Sequence, residues 1–236
     1  MAVLRWMNPL SVCGFEAKEG LDTTDLQLLS EDTAEVKVLH TFGKHSIVVE
    51  GTESEIQKLQ ASRNVETVSE DAKRFPYMTH RTYDDDGHGT LVSGIIVAQD
   101  NGIGVLGVAP GAKIHVVKVF NEFGFVYRSA LVDAVYKCRD AGAKIISMSL
   151  GGDIEVAEER DVFTQLYEQN GILSIAAAGN SGSTNYNYPA SYRNVISVGA
   201  VSQLREHAPF STYNNMVDIA APGVDIWSTL PENLNC

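Results

Sequence analysis

Between Lys113 and Val201 the chain switches hydrophobic period again and again, and this alternation constrains its fold more than any other feature. Lys113 to Phe120, rich in Val and Ile, reads as a strand. Arg128 to Ala141 follows with Leu131, Ala134, Val135 and Cys138 at i, i+3, i+4 and i+7, the spacing of one helix face. Lys144 to Leu150 is the next strand, Val156 to Asn170 the next helix with Gly171 as its stop, and Ile172 to Ala178 the strand after it. Val195 to Val201 and Val217 to Ala220 add two more. Successive β-α-β units require parallel strands with right-handed crossovers, so the expected fold is α/β, a doubly wound and mostly parallel sheet. In such sheets ligands bind beyond the carboxyl ends of the strands. Those ends carry Ser149-Leu150-Gly151-Gly152 and Ala178-Gly179-Asn180-Ser181-Gly182.

Upstream the pattern differs. Residues 1–33 show no clear period beyond a weak helical pattern at Thr24 to Leu29, and they stay unassigned. In 34–75, Val36 to His40 and Ser46 to Glu50 read as strands, and Gly51 ends the second. Thr52 can cap a helix whose inner face takes Ile56, Leu59 and Ala61, with Glu53 and Glu55 at the positive end of its dipole. Val65 to Val68 is a further short strand. This small α+β segment buries too little to stand alone and is expected to dock on something. Residues 76–236 form the larger domain.

A length of 236 residues with 44% hydrophobic content suits one sizeable domain plus a small one. The formal net charge of -12 argues against a nucleic-acid partner and favours a soluble, self-repelling protein; a monomer is expected. Cys13, Cys138 and Cys236 are too few and too far apart for a disulfide framework or a zinc site; Cys138 fits core packing. No apolar run approaches the roughly 18 residues that span a bilayer, so no membrane partner is expected. Arg5, Asn8 and Pro9 interrupt what would be a signal's apolar region.

Chemistry concentrates at Gly87-His88-Gly89-Thr90 and the small-residue run after it. Glycines on both sides let the backbone turn sharply and bring other chain close to the imidazole. A histidine in such a turn can equally be a capping or core residue. Asn180 tips the balance: a strand of small residues delivers its amide to the active edge of the sheet, and a preorganised amide donor is what a developing oxyanion needs. Gly102, Gly104 and Gly107 spell a dinucleotide fingerprint, but no strand precedes them and Pro110 follows where a helix should run. His80 and Asp84 to Asp86 could suggest a transition-metal site, though acidic loops are usually just solvated.

Together with Ser147 to Gly152 and Asp218 to Gly223, these motifs resemble the subtilisin-like serine proteases over roughly Ala34 to Pro231. The resemblance implies a truncated subtilisin-like catalytic domain at 76–236. It makes 34–75, ending near Val65-Glu66-Thr67-Val68-Ser69-Glu70-Asp71, part of a ferredoxin-like inhibitory pro-domain. It implies serine-type endopeptidase chemistry on peptide or protein substrates, with His88 as general base and Asn180 as oxyanion donor. Ser149, Leu150 and Gly151 would pair with substrate backbone as an added strand, and Gly152 would leave room for a side chain. Glu122 to Phe125 would border the opposite side of the cleft, and the bond before Pro189 would be cis. The family's calcium loop matches Gln99 to Gly107, with carbonyls of Gln99, Ile103 and Val105 and the Asn101 side chain as hard oxygen ligands, so structural calcium is the expected cofactor. A plain Gly-rich turn is the alternative. The family also implies an extracellular or secretory location.

Two family features are missing from the 236 residues. The Gly-Thr-Ser-x-Ala segment that bears the nucleophile does not occur, and no Val-Ile-Asp-Thr-Gly-like strand lies between Asp71 and His88. The chain as it stands is therefore expected to be inactive and, lacking part of a sheet, poorly stable. The alternative is a non-catalytic relative that binds or inhibits a protease or peptide; its own or another protease's pro-domain is the expected protein partner. Tight inhibition of an intact subtilase by residues 34–75 would favour that reading. A nucleotide-binding α/β protein is a third reading, which failure to bind NAD would dismiss.

Overall fold

The computed structural model describes residues 11–17, 36–42, 46–62, 64–70, 73–76, 87–120 and 124–231. The chain divides into two units, Met1–Ala72 and Lys73–Cys236. In the first, β1 (Ser11–Ala17), β2 (Lys37–Phe42), β3 (Ser46–Gly51) and β4 (Val65–Glu70) form one antiparallel sheet in the order β2-β3-β1-β4. Helix α1 (Glu53–Gln60) packs on β1 and β4. Ile47, Val49, Ile56, Leu59 and Val65 form the core, with Val36, Val38 and Val68 packed against it.

Strand β1 is the element that the sequence pattern does not announce. Gly14 interrupts it, and its polar and apolar residues do not alternate cleanly. It is nevertheless an inner strand, hydrogen-bonded to β3 on one side and β4 on the other, so tertiary pairing overrides weak local propensity. The expected helix at Thr24 to Leu29 lies outside the described residues.

The start of α1 follows the sequence. The Thr52 backbone N–H and hydroxyl both donate to Glu55 Oε2, at 2.8 and 2.7 Å, which anchors the first turn. Glu55 is buried, so its carboxylate is a fixed part of this helix start. Glu55→Ala is expected to destabilise the chain by about 1 kcal/mol, read as a lower urea midpoint. An unchanged midpoint would show the capping contact to be idle.

The second unit contains β5 (Lys73–Pro76), α2 (His88–Val97), β6 (Val126–Tyr127), α3 (Arg128–Asp140), β7 (Ile145–Met148), β8 (Leu150–Gly151), α4 (Ala157–Glu168), β9 (Leu173–Ala177), β10 (Val195–Val201) and β11 (Ile219–Pro222). Its main sheet runs β11-β10-β9-β7, with every pairing parallel. Burial alternates along β7, β9 and β10: Ile146, Met148, Ser174, Ala176, Val195 and Ser197 are buried, while Ile145 is 60% exposed and Ile175, Ile196 and Val198 are half-buried. Helix α4 packs on β9 and against α3, and buries Val162, Phe163 and Leu166.

One strand expected from the sequence is not formed. Lys113 to Phe120 runs without regular structure, with Ile114 45% and Val116 63% exposed. Val and Ile confer β propensity, but a strand exists only where a neighbour supplies its ladder, and here none does. β7 is correspondingly a terminal strand of its sheet among the described residues. The last strand, expected at Val217 to Ala220, is displaced to Ile219–Pro222 because Val198 pairs with Ile219. Cys138 is half-buried rather than a core residue, and that burial pushes its thiol pKa up.

Candidate active site

Parallel pairing aligns the carboxyl ends of β7 and β9. Met148 pairs with Ala176, so the segments that follow, Ser149–Gly152 and Ala178–Gly182, leave the same edge of the sheet side by side. The sequence had separated these motifs by almost thirty residues; the register brings them together. Leu150 and Gly151 form β8 and are buried. Gly152 exchanges two backbone hydrogen bonds with Tyr188, its N–H donating to the Tyr188 carbonyl at 2.9 Å and its carbonyl accepting from the Tyr188 N–H at 2.7 Å. The bond from Tyr188 to Pro189 is cis, as the resemblance implied.

β5 lies between β6 and β8 in a separate three-stranded sheet. Both pairings are antiparallel: Lys73 faces Tyr127 and Arg74 faces Val126, while Phe75 faces Gly151 and Pro76 faces Leu150. One extended segment thus joins the Leu150–Gly151 wall to a wall that begins just after Gly124 and Phe125. The register advances from Gly151 at Phe75 to Leu150 at Pro76, that is, toward Ser149. Sequence reasoning missed β5. Four residues including a proline carry no strand signal, and the segment is ordered by partners distant in sequence.

Asn180 follows β9 in a turn and is solvent-exposed. Gly179 has φ +111°, and a Cβ there would lie 2.7 Å from Asn187 Nδ2 and 3.0 Å from Thr212 Oγ1, so glycine is needed for both conformation and space. His88 is the first residue of α2. Gly87 before it has φ +69°, the left-handed turn that two flanking glycines suggested. The His88 ring meets Phe120 edge to face, with centroids 6.3 Å apart. Helix α2 is tied to the chain after β11: the Thr229 hydroxyl donates to the Thr90 carbonyl at 2.9 Å and the Ser228 hydroxyl to the Leu91 carbonyl at 2.6 Å. A Cβ on Gly94 would overlap both hydroxyls, which is why the small-residue pattern of this helix matters.

Beyond Gly152, Asp153, Glu155, Thr184, Asn185, Tyr186 and Tyr188 line an open cavity of about 410 Å³. The Tyr188 hydroxyl donates to Glu155 Oε2 at 3.3 Å. Burial first, then the negative charge of Glu155 and this hydrogen bond, push the Tyr188 phenol above its ordinary pKa.

Comparison with known proteins settles the fold. A profile described as the Subtilase family matches residues 27–235. This chain belongs to the subtilase family. It is 41% identical over 154 residues to Subtilisin DY of Bacillus licheniformis, a match covering 64% of this chain and 56% of that protein. It is 40% identical over 150 residues to Subtilisin Savinase of Lederbergia lenta, covering 64% and 55%. The chain therefore spans little more than half the length of these relatives. A crystal structure of a psychrophilic subtilisin-like protease from the Antarctic psychrotroph Pseudoalteromonas sp. AS-11 superposes with a TM-score of 0.58 at 49% identity, covering 61% of this chain and 33% of that one. The α/β architecture described above is that of a subtilisin-like protease.

Set against the subtilase motifs, the loop Gln99 to Gly107 has a definite shape. Gly102 and Gly104 adopt φ of +75° and +68°, and Asn101 Oδ1 accepts the Ile103 N–H at 3.0 Å. No strand precedes the loop, since α2 ends at Val97, which removes the dinucleotide reading. The expected calcium ligands Gln99, Asn101, Ile103 and Val105 offer four neutral oxygens, one already engaged by an amide. Calcium takes six to eight oxygens, so these four would form part of a set completed by other oxygens. Among the described residues no three His, Cys, Asp or Glu side chains gather as a metal site. His80 and Asp84 to Asp86 lie outside the described residues. Among the described residues, no helix is long and apolar enough to cross a membrane.

Proposed function

We propose that this subtilase holds peptide or protein substrates as an added strand in the cleft between β6 and β8, for serine-type peptide-bond hydrolysis. The observation that carries the reading is β5 itself. It is an extended segment paired on both sides, through Lys73 and Arg74 to β6 and through Phe75 and Pro76 to β8. Backbone pairing of that kind binds many sequences, because its affinity comes from main-chain hydrogen bonds. In this reading His88 takes the proton from a serine hydroxyl and returns it to the leaving amine, and Asn180 donates to the oxyanion. Ser149, Leu150 and Gly151 align the substrate backbone, and Gly152, lacking a side chain, leaves room beside it. The first unit acts as the inhibitory pro-domain of this or another protease. Export and a monomeric state are read from the family resemblance.

Replacing Lys73–Pro76 with Gly-Ser-Gly-Ser frees both walls and tests the cleft. A fluorescent peptide carrying Lys-Arg-Phe-Pro is expected to bind the replaced chain saturably and the unaltered chain hardly at all. Absent binding to both, or equal binding to both, would sink the reading.

Calcium at the Gln99–Val105 loop is a further proposal, and only for a weak site completed by oxygens beyond these four. The expected affinity is that of weak extracellular modules, about 10⁻⁴–10⁻³ M. Adding calcium should then raise Tm in a concentration-dependent way that a chelator reverses, while magnesium should not. A Tm indifferent to calcium across that range would remove the proposal.

A further inference from the structure

We propose that Thr212, assisted by Asn187, is a positioning residue for Asn180, an inference that rests on the oxyanion role proposed above. Thr212 is 1% exposed, an unusual place for a hydroxyl unless that hydroxyl is occupied. It reaches the chain on both sides of Asn180. Before Asn180, the Thr212 backbone N–H donates to the Gly179 carbonyl at 2.9 Å. After it, Thr212 Oγ1 lies 2.9 Å from Ser181 Oγ, and the Ser181 N–H points to the same oxygen at 3.4 Å.

Asn187 closes the other side of the turn. Its Nδ2 donates to the Ala178 carbonyl at 3.1 Å and lies 3.5 Å from Thr212 Oγ1. Ser191 Oγ accepts the Asn187 N–H at 3.1 Å, and the Ser191 N–H donates to the Asn187 carbonyl at 2.7 Å, so Asn187 is itself held from behind. The space behind Gly179 is filled by these two side chains, which leaves that peptide no room to rock. A side-chain donor stabilises a developing charge only if it is already in place when the charge appears. Asn180 is exposed and in a turn, and these bonds hold the backbone on both sides of it. Thr212 and Asn187 supply that hold through three residues that bracket Asn180: Ala178 and Gly179 before it and Ser181 after it.

The test uses ¹⁵N-labelled protein and needs no turnover. Thr212→Val keeps the shape and removes the hydroxyl; Thr212→Ser restores it. In Thr212→Val the Asn180 carboxamide signals are expected to shift and lose order, and the Ser181 amide to exchange about tenfold faster, the scale of one lost hydrogen bond to a buried partner. Amides of Val195–Val201 should keep their exchange rates, and Thr212→Ser should return Asn180 to its original signals. If Thr212→Val does not fold, Asn187→Ser at a half-buried site carries the same expectation for Asn180. Unmoved Asn180 signals in the variant that folds would overturn the proposal. So would equal perturbation by Thr212→Ser and Thr212→Val. Because the readout is the order of one carboxamide, it can fail while the peptide-binding experiment succeeds, and the reverse.

Discussion

The 236-residue chain is expected to hydrolyse a chromogenic succinyl-peptide anilide no faster than the same chain carrying His88→Ala. His88 and Asn180 are present, but the Gly-Thr-Ser-x-Ala segment is not, and a base without its nucleophile abstracts no useful proton. In the reference series for this chemistry, itself measured on a subtilisin, loss of the serine alone lowers kcat by about 10⁶, and the base contributes almost nothing once the serine is gone. The oxyanion donor and the cleft would leave about 10³–10⁴ over water, too slow to register above background in an ordinary assay. A His88-dependent rate would mean that another hydroxyl or a water takes the nucleophile's place. The prediction would then be wrong even though the family assignment stands.

What the sequence could convey depended on whether each element was fixed locally or by distant partners. Helix α3 was legible because Leu131, Ala134 and Val135 repeat with helical period, and all three are buried. The start of α1 was legible because Thr52 and Glu55 carry their own capping chemistry. Asn180 and Ser149–Gly152 were legible as motifs at strand ends, and parallel register then made them neighbours. Strands β1 and β5 were not legible, since neither has a local pattern and both are held by strands on two sides. Lys113 to Phe120 failed for the converse reason, having the composition of a strand and no ladder to join. Thr212 and Asn187 carry no motif at all. Their place beside Asn180 follows only from the turn that folds residues 208–213 back onto 179–182, where Gly182 donates to the Phe210 carbonyl at 2.7 Å.

Removing the guanidinium of Arg128 is expected to be the most damaging single substitution outside the cleft. Arg128 opens α3, where the helix dipole disfavours a cation, and it is 2% exposed. Its position is tolerable because Nη1 lies 3.4 Å from Glu158 Oε2, in the first turn of α4, where the dipole favours an anion. The pair therefore joins the amino ends of two helices. The neighbouring carboxylate is held just as firmly: Tyr192 donates its hydroxyl to Glu159 Oε2 at 2.7 Å while accepting the Val156 N–H at 3.0 Å. Arg128→Ala leaves Glu158 without this partner and opens a void, for which about 3–5 kcal/mol is expected. Domains of this size have only about 5–15 kcal/mol in total, so the urea midpoint should fall sharply. Arg128→Met combined with Glu158→Leu should recover most of the loss, because an apolar pair of similar volume has no buried charge to compensate. The cleft should register the same change, since Arg128 directly follows Val126–Tyr127, the wall that pairs with Lys73 and Arg74. Hydrogen exchange at those β6 amides is expected to speed up in Arg128→Ala and to slow again in the double variant. If Arg128→Ala shifts the midpoint by less than about 0.5 kcal/mol, the range of ordinary surface changes, the ion pair contributes nothing and packing alone joins the helices.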